Sequence, residues 1–368
     1  MSSTGPKSLS ASLLPRVLAA IAAAGGWLPF DRFMAMALYE PGLGYYNRGG
    51  LVFGTMPASG SDFVTAPELS PLFGKALAKQ VAEALDAAGA DTVYEFGAGS
   101  GALAAQLLGA LGSRVKRYAI VDLSGALRMR QAERLAAWQG TVQWLDELPE
   151  SLHGVVVGNE VLDAMPVQLL HWDGSAWWER GVAASDSGLR FADRSTSLLP
   201  PLEGPDAHFV PGTVTEVHPQ AEAFIRTLAG KLTKGAAFFI DYGFPEAEYY
   251  HPQRSTGTLM CHRAHQADDR PLEDVGSKDI TAHVNFTGIA LAGQDAGLDV
   301  LGYTSQARFL FNCGLADLLA TADLRECAMA QKLVTEHEMG ELFKVIAFGR
   351  GITLDPLGFA EGDRMHTL

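Results

Sequence analysis

The chain has 368 residues, of which 48% are hydrophobic and 19% charged, a composition that excludes a disordered or fibrous protein. Its formal net charge of −14 disfavours binding to nucleic-acid backbones or anionic lipid and favours a cationic substrate. The three cysteines, Cys261, Cys313 and Cys327, lack disulfide or zinc-finger spacing and indicate a reducing compartment. Because no apolar run near the start reaches the roughly 20 residues of a membrane helix, we expect a cytoplasmic protein without membrane partners.

Residues 1–90 predict an N-terminal helical and lid segment. Apolar residues recur at helical spacing from Leu13 to Ile21, and a second helix is predicted to begin at Pro71 after a Ser70 cap. Between these helices lies an irregular stretch, Asp62-Phe-Val-Thr-Ala-Pro-Glu-Leu69. We expect this stretch to fold over a ligand as a lid, although its acids could equally serve as caps.

From residue 92 onward, strands and helices alternate. Strands are predicted at 92–96, 117–122, 141–145 and 153–158, with helices at 102–111 and from Ser124 to about 138. Because the strands are nearly continuous Val/Ile runs, we expect a parallel sheet covered on both faces. The predicted fold class is therefore α/β, a doubly wound, Rossmann-like and mostly parallel sheet with a smaller subdomain. Its core is assigned to residues 91–166 and 216–246.

The remaining segments surround that core. Residues 167–215 predict an inserted β-hairpin subdomain with its turn at Asp173-Gly174. Residues 247–368 are assigned to a substrate-side subdomain and to the C-terminal completion of the sheet. Within the latter, the polar stretch 247–283 predicts a loop. The other elements expected after residue 215 are helices 219–230, 287–297 and 314–334 and strands 236–241, 299–304 and 343–349.

The sharpest local signal is the glycine loop Glu95-Phe-Gly-Ala-Gly-Ser-Gly101 between a strand and a helix. Gly97, Ala98, Gly99 and Gly101 would let the backbone approach a cofactor closely. Asp122, at the end of the next strand, could accept hydrogen bonds from a ribose. The loop also matches the dinucleotide pattern Gly-x-Gly-x-x-Ala, so NAD remains open. An acid two residues before the first glycine favours S-adenosylmethionine (SAM).

Three further residues follow strand ends and complete the predicted cofactor-binding set: Leu123, Asp146 and Asn159. Asp146 could equally be a solvated acid in a turn. No metal is expected, because the metal-capable stretch from Cys261 to His265 lacks a second pair of ligands at zinc spacing.

The candidate catalytic residues are Glu160, Asp163 and, in the lid, Asp62. Glu160 and Asp163 lie three apart after the fourth strand and share a face if the segment is helical. Two carboxylates beside a methyl donor could hold a guanidinium and accept its proton. Alternatively, they are acids at a helix start, where the helix dipole favours them.

Seven ordered motifs, covering nearly the whole chain, resemble the MidA-like family of SAM-dependent methyltransferases. They are the glycine loop and the segments 39–46, 62–70, 159–167, 241–243, 279–286 and 339–345. The resemblance implies a class I methyltransferase fold and an arginine of a partner protein as acceptor, as in the family's mitochondrial members, which act as complex I assembly factors. The partner could be a respiratory complex subunit. Two alternatives remain, an NAD-dependent oxidoreductase and a non-catalytic assembly factor, and the oligomeric state stays open.

Overall fold

The computed structural model describes residues 6–47, 64–122, 125–202, 208–263 and 266–368, with the backbone alone for 6–12 and Ala126. The helices in these ranges are α1 (Pro6–Ala23), α2 (Phe30–Tyr39), α3 (Ala66–Leu69), α4 (Pro71–Ala88), α5 (Ala102–Leu111), α6 (Gly125–Arg134), α7 (Pro219–Lys231), α8 (Glu246–Tyr249), α9 (Phe286–Asp295), α10 (Gln306–Asn312), α11 (Leu315–Thr321) and α12 (Leu324–Val334). The strands are β1 (Leu28–Pro29), β2 (Thr92–Phe96), β3 (Arg117–Val121), β4 (Val142–Leu145), β5 (Leu152–Asn159), β6 (Gln168–Trp172), β7 (Trp177–Ser185), β8 (Gly188–Ser195), β9 (Val214–Val217), β10 (Leu232–Phe244), β11 (Met260–Arg263), β12 (Gln266–Asp268), β13 (Asp279–Thr281), β14 (Val284–Asn285), β15 (Asp299–Ser305) and β16 (Phe343–Arg350).

A large, mostly parallel sheet forms the centre of the fold and confirms the predicted fold class. Its strand order is β15-β16-β10-β5-β2-β3-β4, and the strands from β10 to β4 pair in parallel. Strand β16 is antiparallel to both its neighbours. Helices α4, α5 and α10 pack on one face and α7 and α9 on the other. Because both faces are covered, the central strands are apolar along their length, as in Val155–Val157.

A second, antiparallel sheet combines β1, β7, β6 and β9, with β8 on the other edge of β7. The predicted hairpin turn is confirmed, since Asp173 Oδ1 accepts backbone hydrogen bonds from Ser175 (2.7 Å) and Ala176 (2.8 Å). Helices α1 and α2 cover this sheet and share its core with Cys261 and Ile280.

Two expectations for secondary structure are wrong. Residues 247–283 are not a loop, because they contain α8 and the three-stranded antiparallel sheet β12-β11-β13. These strands have three or four residues, too few for a readable alternation. The predicted helix 314–334 is two helices, separated where Asp323 and Glu326 form a capping box at the start of α12. Helix α10 was not predicted. The expected Ser124 cap lies outside the described residues.

The carboxylate of Glu216 joins the second sheet to the start of β11. The side chain is fully buried and accepts hydrogen bonds from Tyr249 Oη (2.9 Å) and from the backbone N–H groups of Thr258 (2.9 Å) and Leu259 (3.0 Å). Burial raises the pKa of Glu216, and these hydrogen bonds offset part of that effect. The contacts fix the segment that leads into the short sheet.

Glu216→Ala should lower the free energy of unfolding by about 3 kcal/mol or more, because several buried donors would lose their acceptor. Urea titration followed by circular dichroism measures the change. Glu150→Ala, at an exposed glutamate, is the matched control and should leave the midpoint unchanged. Equal midpoints for Glu216→Ala and the control would show that these contacts do not stabilise the fold.

Candidate functional site

A cavity of about 1340 Å³ opens at the carboxyl ends of the parallel strands β2, β3, β5 and β10. In open α/β sheets this edge is where ligands bind. The first sheet supplies one wall, and α2, the segment 64–69, the short sheet β11–β13 and α12 supply the others.

The glycine loop forms the floor of the cavity between β2 and α5. Gly97, Ala98 and Gly99 line it, whereas Gly101 faces Gln131 and begins the helix. Gly97 and Gly99 have φ angles of 62° and 53°, a region that side chains rarely adopt. A Cβ at Gly97 would stand 3.0 Å from Val161 Cγ2. The loop therefore needs glycine both for its conformation and for its close approach to the segment that follows β5.

Glu95 lines the inner end of the same cavity and is 2% exposed. Tyr118 Oη donates a hydrogen bond to Glu95 Oε2 at 2.7 Å. Burial raises the pKa of Glu95 to about 8, with the Tyr118 hydrogen bond acting in the opposite direction. Glu95 is thus partly protonated near neutral pH in the free protein.

Asp122 lies at the end of β3 and also lines the cavity. Its Oδ2 accepts a hydrogen bond from Gln131 Nε2 at 2.8 Å, and the same nitrogen bonds the carbonyl of Gly99 at 3.0 Å. Gln131 is fully buried, so it fixes Asp122 relative to the glycine loop. Leu123 lies outside the described residues, and its predicted role stays a prediction.

Asp146 reaches the rim of the cavity. Its side chain is 85% exposed and pairs with Arg128 at 2.7 Å. The exposure and the ion pair are those of a solvated acid, which is the alternative that the sequence left open. The position of Asp146 nevertheless faces the cavity.

Asn159 is the last residue of β5, and the loop that follows, with Glu160 and Asp163, is not helical, so the condition for a shared helix face is not met. Instead, Asp241 Oδ2 accepts hydrogen bonds from the backbone N–H groups of Val161 (3.1 Å), Leu162 (2.9 Å) and Asp163 (3.3 Å). Glu160 adopts a φ of 54°, which turns the chain out of β5. Because this segment forms no helix, Glu160 and Asp163 are not acids at a helix start, and that alternative is also excluded.

The two predicted acceptor carboxyls nevertheless meet in the cavity. Burial and, to a smaller extent, the negative charge of Asp163 raise the pKa of Glu160 to about 8, although the hydrogen bond from Asn159 Nδ2 (2.9 Å) acts in the opposite direction. Burial raises the pKa of Asp163 to about 6 despite the hydrogen bond that Tyr242 Oη donates to its Oδ2. Burial and these two carboxyls also raise the pKa of Asp241.

The described part of the predicted lid, residues 64–69, does border the cavity through Val64, Thr65, Pro67 and Leu69. Glu68, in the same segment, does not line the cavity. Its carboxylate accepts hydrogen bonds from Ser100 Oγ and from Arg134 Nη1 (2.6 Å). This acid therefore ties the segment to the glycine loop. Asp62 lies outside the described residues, so its catalytic role stays a prediction.

Several residues that line the cavity were not predicted from the sequence. They are supplied by segments distant in the chain, namely Tyr39, His262, Asp279, Thr281, His283, Lys332 and Glu338. Tyr46 also lines the cavity. Asp279, Thr281 and His283 belong to the motif 279–286, but the motif alone did not indicate that these residues lie at the cavity.

The charge of the lining is strongly one-sided. Among the described lining residues, seven are acidic, namely Glu95, Asp122, Asp146, Glu160, Asp163, Asp279 and Glu338, and Lys332 is the sole Lys or Arg. Within the described ranges no group of three or more His, Cys, Asp or Glu side chains is arranged to hold a metal ion. The same part of the chain contains no helix long and apolar enough to span a bilayer. The arrangement suits an organic cation.

Glu95→Gln should flatten the pH dependence of thermal stability. The pKa of Glu95 in the folded chain, about 8, lies above its ordinary value of 4.5, so folding takes up a proton between these pH values. The stability from this group is complete below pH 4.5 and is lost as pH rises towards 8.

Melting temperatures at pH 5.5, 7.0 and 8.5 test this. The wild type should lose stability over the series and Glu95→Gln should lose less, whereas the exposed Glu147→Gln should follow the wild type. Parallel curves for Glu95→Gln and wild type would contradict the assignment.

Comparison with known proteins identifies the cofactor class. A family model described as "Putative S-adenosyl-L-methionine-dependent methyltransferase" matches residues 76–304. The chain is 27% identical over 391 residues to the mitochondrial protein arginine methyltransferase NDUFAF7 of Danio rerio, covering 93% of this chain and 88% of that protein. It is 29% identical over 329 residues to the Mus musculus protein of that name, covering 79% and 71%.

A crystal structure of a Burkholderia thailandensis protein bound to S-adenosyl-homocysteine shares the whole fold. It is 52% identical, covers 100% of this chain and 99% of its own, and superposes with a TM-score of 0.94. These similarities favour SAM over NAD, as Glu95 and the glycine loop predicted. The chain belongs to the MidA-like family of S-adenosyl-L-methionine-dependent methyltransferases.

Proposed function

We propose that this methyltransferase transfers the methyl group of SAM to the guanidinium of an arginine side chain in a partner protein. The observation that carries the proposal is the acidic cavity, in which Glu160 and Asp163 face a lining with a single lysine. A guanidinium is a permanent cation whose N–H donors match carboxylates. The names of the curated relatives, protein arginine methyltransferases, support the same acceptor.

The cavity fits SAM and leaves room for an acceptor. Its volume exceeds the roughly 300–1,000 Å³ of most small-molecule pockets. The glycine loop exposes its backbone to the cavity, and a side chain at Gly97 would take up space there. Asn159 Oδ1 is buried without a hydrogen-bond partner among the described residues. We assign SAM to the glycine loop, Glu95, Asp122 and Asn159.

When bound, SAM supplies a sulfonium methyl group that a nitrogen nucleophile can displace directly. The protein's part is to orient the acceptor and to take up the N–H proton that the methylated nitrogen loses. Glu160 and Asp163 are the carboxylates in reach, and Tyr242 fixes the Asp163 side chain by its hydrogen bond. Asp62 remains a further candidate from its motif.

Two finer assignments belong to the same proposal. The partner is a protein, and a subunit of a respiratory complex is the first candidate because the family's mitochondrial members assemble complex I. For the location we retain the cytoplasm, on the grounds of cysteine usage and composition.

The acceptor type is tested by incubating the purified chain with tritiated SAM and a native lysate, hydrolysing the labelled protein and separating methylated amino acids. Methylarginine is the expected product. Label on lysine or on a carboxyl group would overturn the arginine assignment. Binding of S-adenosyl-homocysteine without any labelled protein would favour the non-catalytic assembly factor.

Asp122→Ala should weaken SAM binding about ten- to a hundred-fold, because a charge-assisted hydrogen bond contributes roughly 1.5–3 kcal/mol. Isothermal titration calorimetry measures this directly. Asp146→Ala should change the affinity only a few-fold, since that carboxylate is largely solvated and paired with Arg128. Equal losses in both variants would place the ribose contact elsewhere.

Glu160→Gln should leave SAM affinity within a few-fold of wild type while turnover on the labelled acceptor falls 10²–10⁴-fold, as is usual for a lost acid–base group. The amide keeps the shape of the side chain but neither its charge nor its basicity. A lowered melting temperature with unchanged turnover per folded molecule would instead show a structural role.

A further inference from the structure

Asp279, the first residue of β13, brings a third buried carboxyl group to the acceptor side of the cavity. It is 3% exposed, and Tyr46 Oη donates a hydrogen bond to its Oδ1 at 2.8 Å. The negative charge of Asp279 contributes to raising the pKa of Glu160, so the two carboxyls interact. Asp279 is thus part of the same electrostatic site although it lies about 120 residues further along the chain.

Asp163 has the same arrangement of a carboxyl group held by a tyrosine. It is 5% exposed, and its Oδ2 accepts the hydrogen bond from Tyr242. Its Oδ1 is buried and has no hydrogen-bond partner among the described residues. A buried acceptor without a donor costs free energy, and native proteins rarely leave one unless a ligand supplies the donor.

Direct contacts hold the two tyrosine–carboxyl pairs in one frame. The carbonyl oxygen of Asp163 accepts a hydrogen bond from the backbone N–H of Ala282 at 3.0 Å, which joins the Asp163 loop to the end of β13. Tyr39 Oη donates to the carbonyl of Ala164 at 2.8 Å, and its ring stacks on Tyr46 at 5.6 Å. The positions of Asp163 and Asp279 are therefore set together, before any acceptor binds.

Like charges crowded in a buried site are relieved by a cation, and the shape of the site selects among cations. A guanidinium presents five N–H donors in a plane and can bond to carboxylates on two sides, whereas an ammonium is a compact point charge. The tyrosine rings that line the cavity, Tyr39, Tyr46 and Tyr242, add faces that attract a planar cation.

We infer that Asp163 and Asp279, held by Tyr242 and Tyr46, form the subsite that binds the guanidinium and selects it over an ammonium. The inference rests on the proposed function and adds Asp279 and Tyr46 as specificity-determining residues. Glu160 keeps its proposed role as an acceptor carboxyl beside this subsite.

The test titrates methylguanidinium chloride and methylammonium chloride into the full chain saturated with S-adenosyl-homocysteine, and follows binding by NMR. The wild type should bind methylguanidinium at least ten times more tightly than methylammonium. Asp279→Asn should weaken methylguanidinium binding about tenfold or more, and Tyr46→Phe less. Both variants should bind S-adenosyl-homocysteine like the wild type, which shows that they fold. Asp269→Asn, at an exposed aspartate directly after β12, is the matched control.

Wild-type affinity for methylguanidinium in a folded Asp279→Asn variant would overturn the inference and leave the proposed function standing, provided that the lysate assay yields methylarginine. Equal binding of both cations by the wild type would overturn the selectivity. If the lysate assay yields another methylated residue, the proposed function itself fails, and the two failures are thereby distinguished.

Discussion

The carboxylate of Asp241 organises the site, because a single oxygen atom accepts hydrogen bonds from three successive backbone N–H groups, those of residues 161–163. Three donors that point the same way form a concave anion site, and here a side chain of the neighbouring strand occupies it. This contact holds the chain in a turn that begins at Glu160, whose φ of 54° carries strain for a residue with a side chain. The positions of Glu160 and Asp163 depend on that turn, whereas Asn159 is held in β5 by its pairing with Ile240.

The two halves of the cavity are built by different means. The cofactor half sits on the parallel sheet, where long apolar strands and a glycine turn fix the backbone. The acceptor half is assembled from short pieces: the end of α2, the Asp163 loop and strands of three or four residues. Buried polar contacts such as those of Glu216 with residues 258 and 259 replace the regular packing that such short elements lack. Satisfied buried networks of this kind specify one arrangement.

This division explains how much could be predicted from the sequence. Strands such as β2, and the loop from Glu95 to Gly101, were predictable because their signals are local and strongly patterned. The 160–163 segment was not, since the acceptor that prevents a helix comes from Asp241, about 80 residues away. The role of Asp279 as a site residue was not predicted for a similar reason. Its strand has only three residues, and it is recognisable as a strand only through its pairing with β11. The relatives and the shared fold establish the methyl donor.

The raised pKa values of Glu160 and Asp163, about 8 and about 6, have a consequence for how a cation enters. Near neutral pH these two carboxyls hold about one proton between them, mainly on Glu160, and a guanidinium placed beside them would drive that proton off. Acceptor binding and proton release are then one linked equilibrium, so the affinity for a cation rises with pH across this range. Before a cation binds, the site is therefore closer to neutral than its number of acids implies, which allows buried carboxyls such as Glu95, Glu160 and Asp163 to share one cavity.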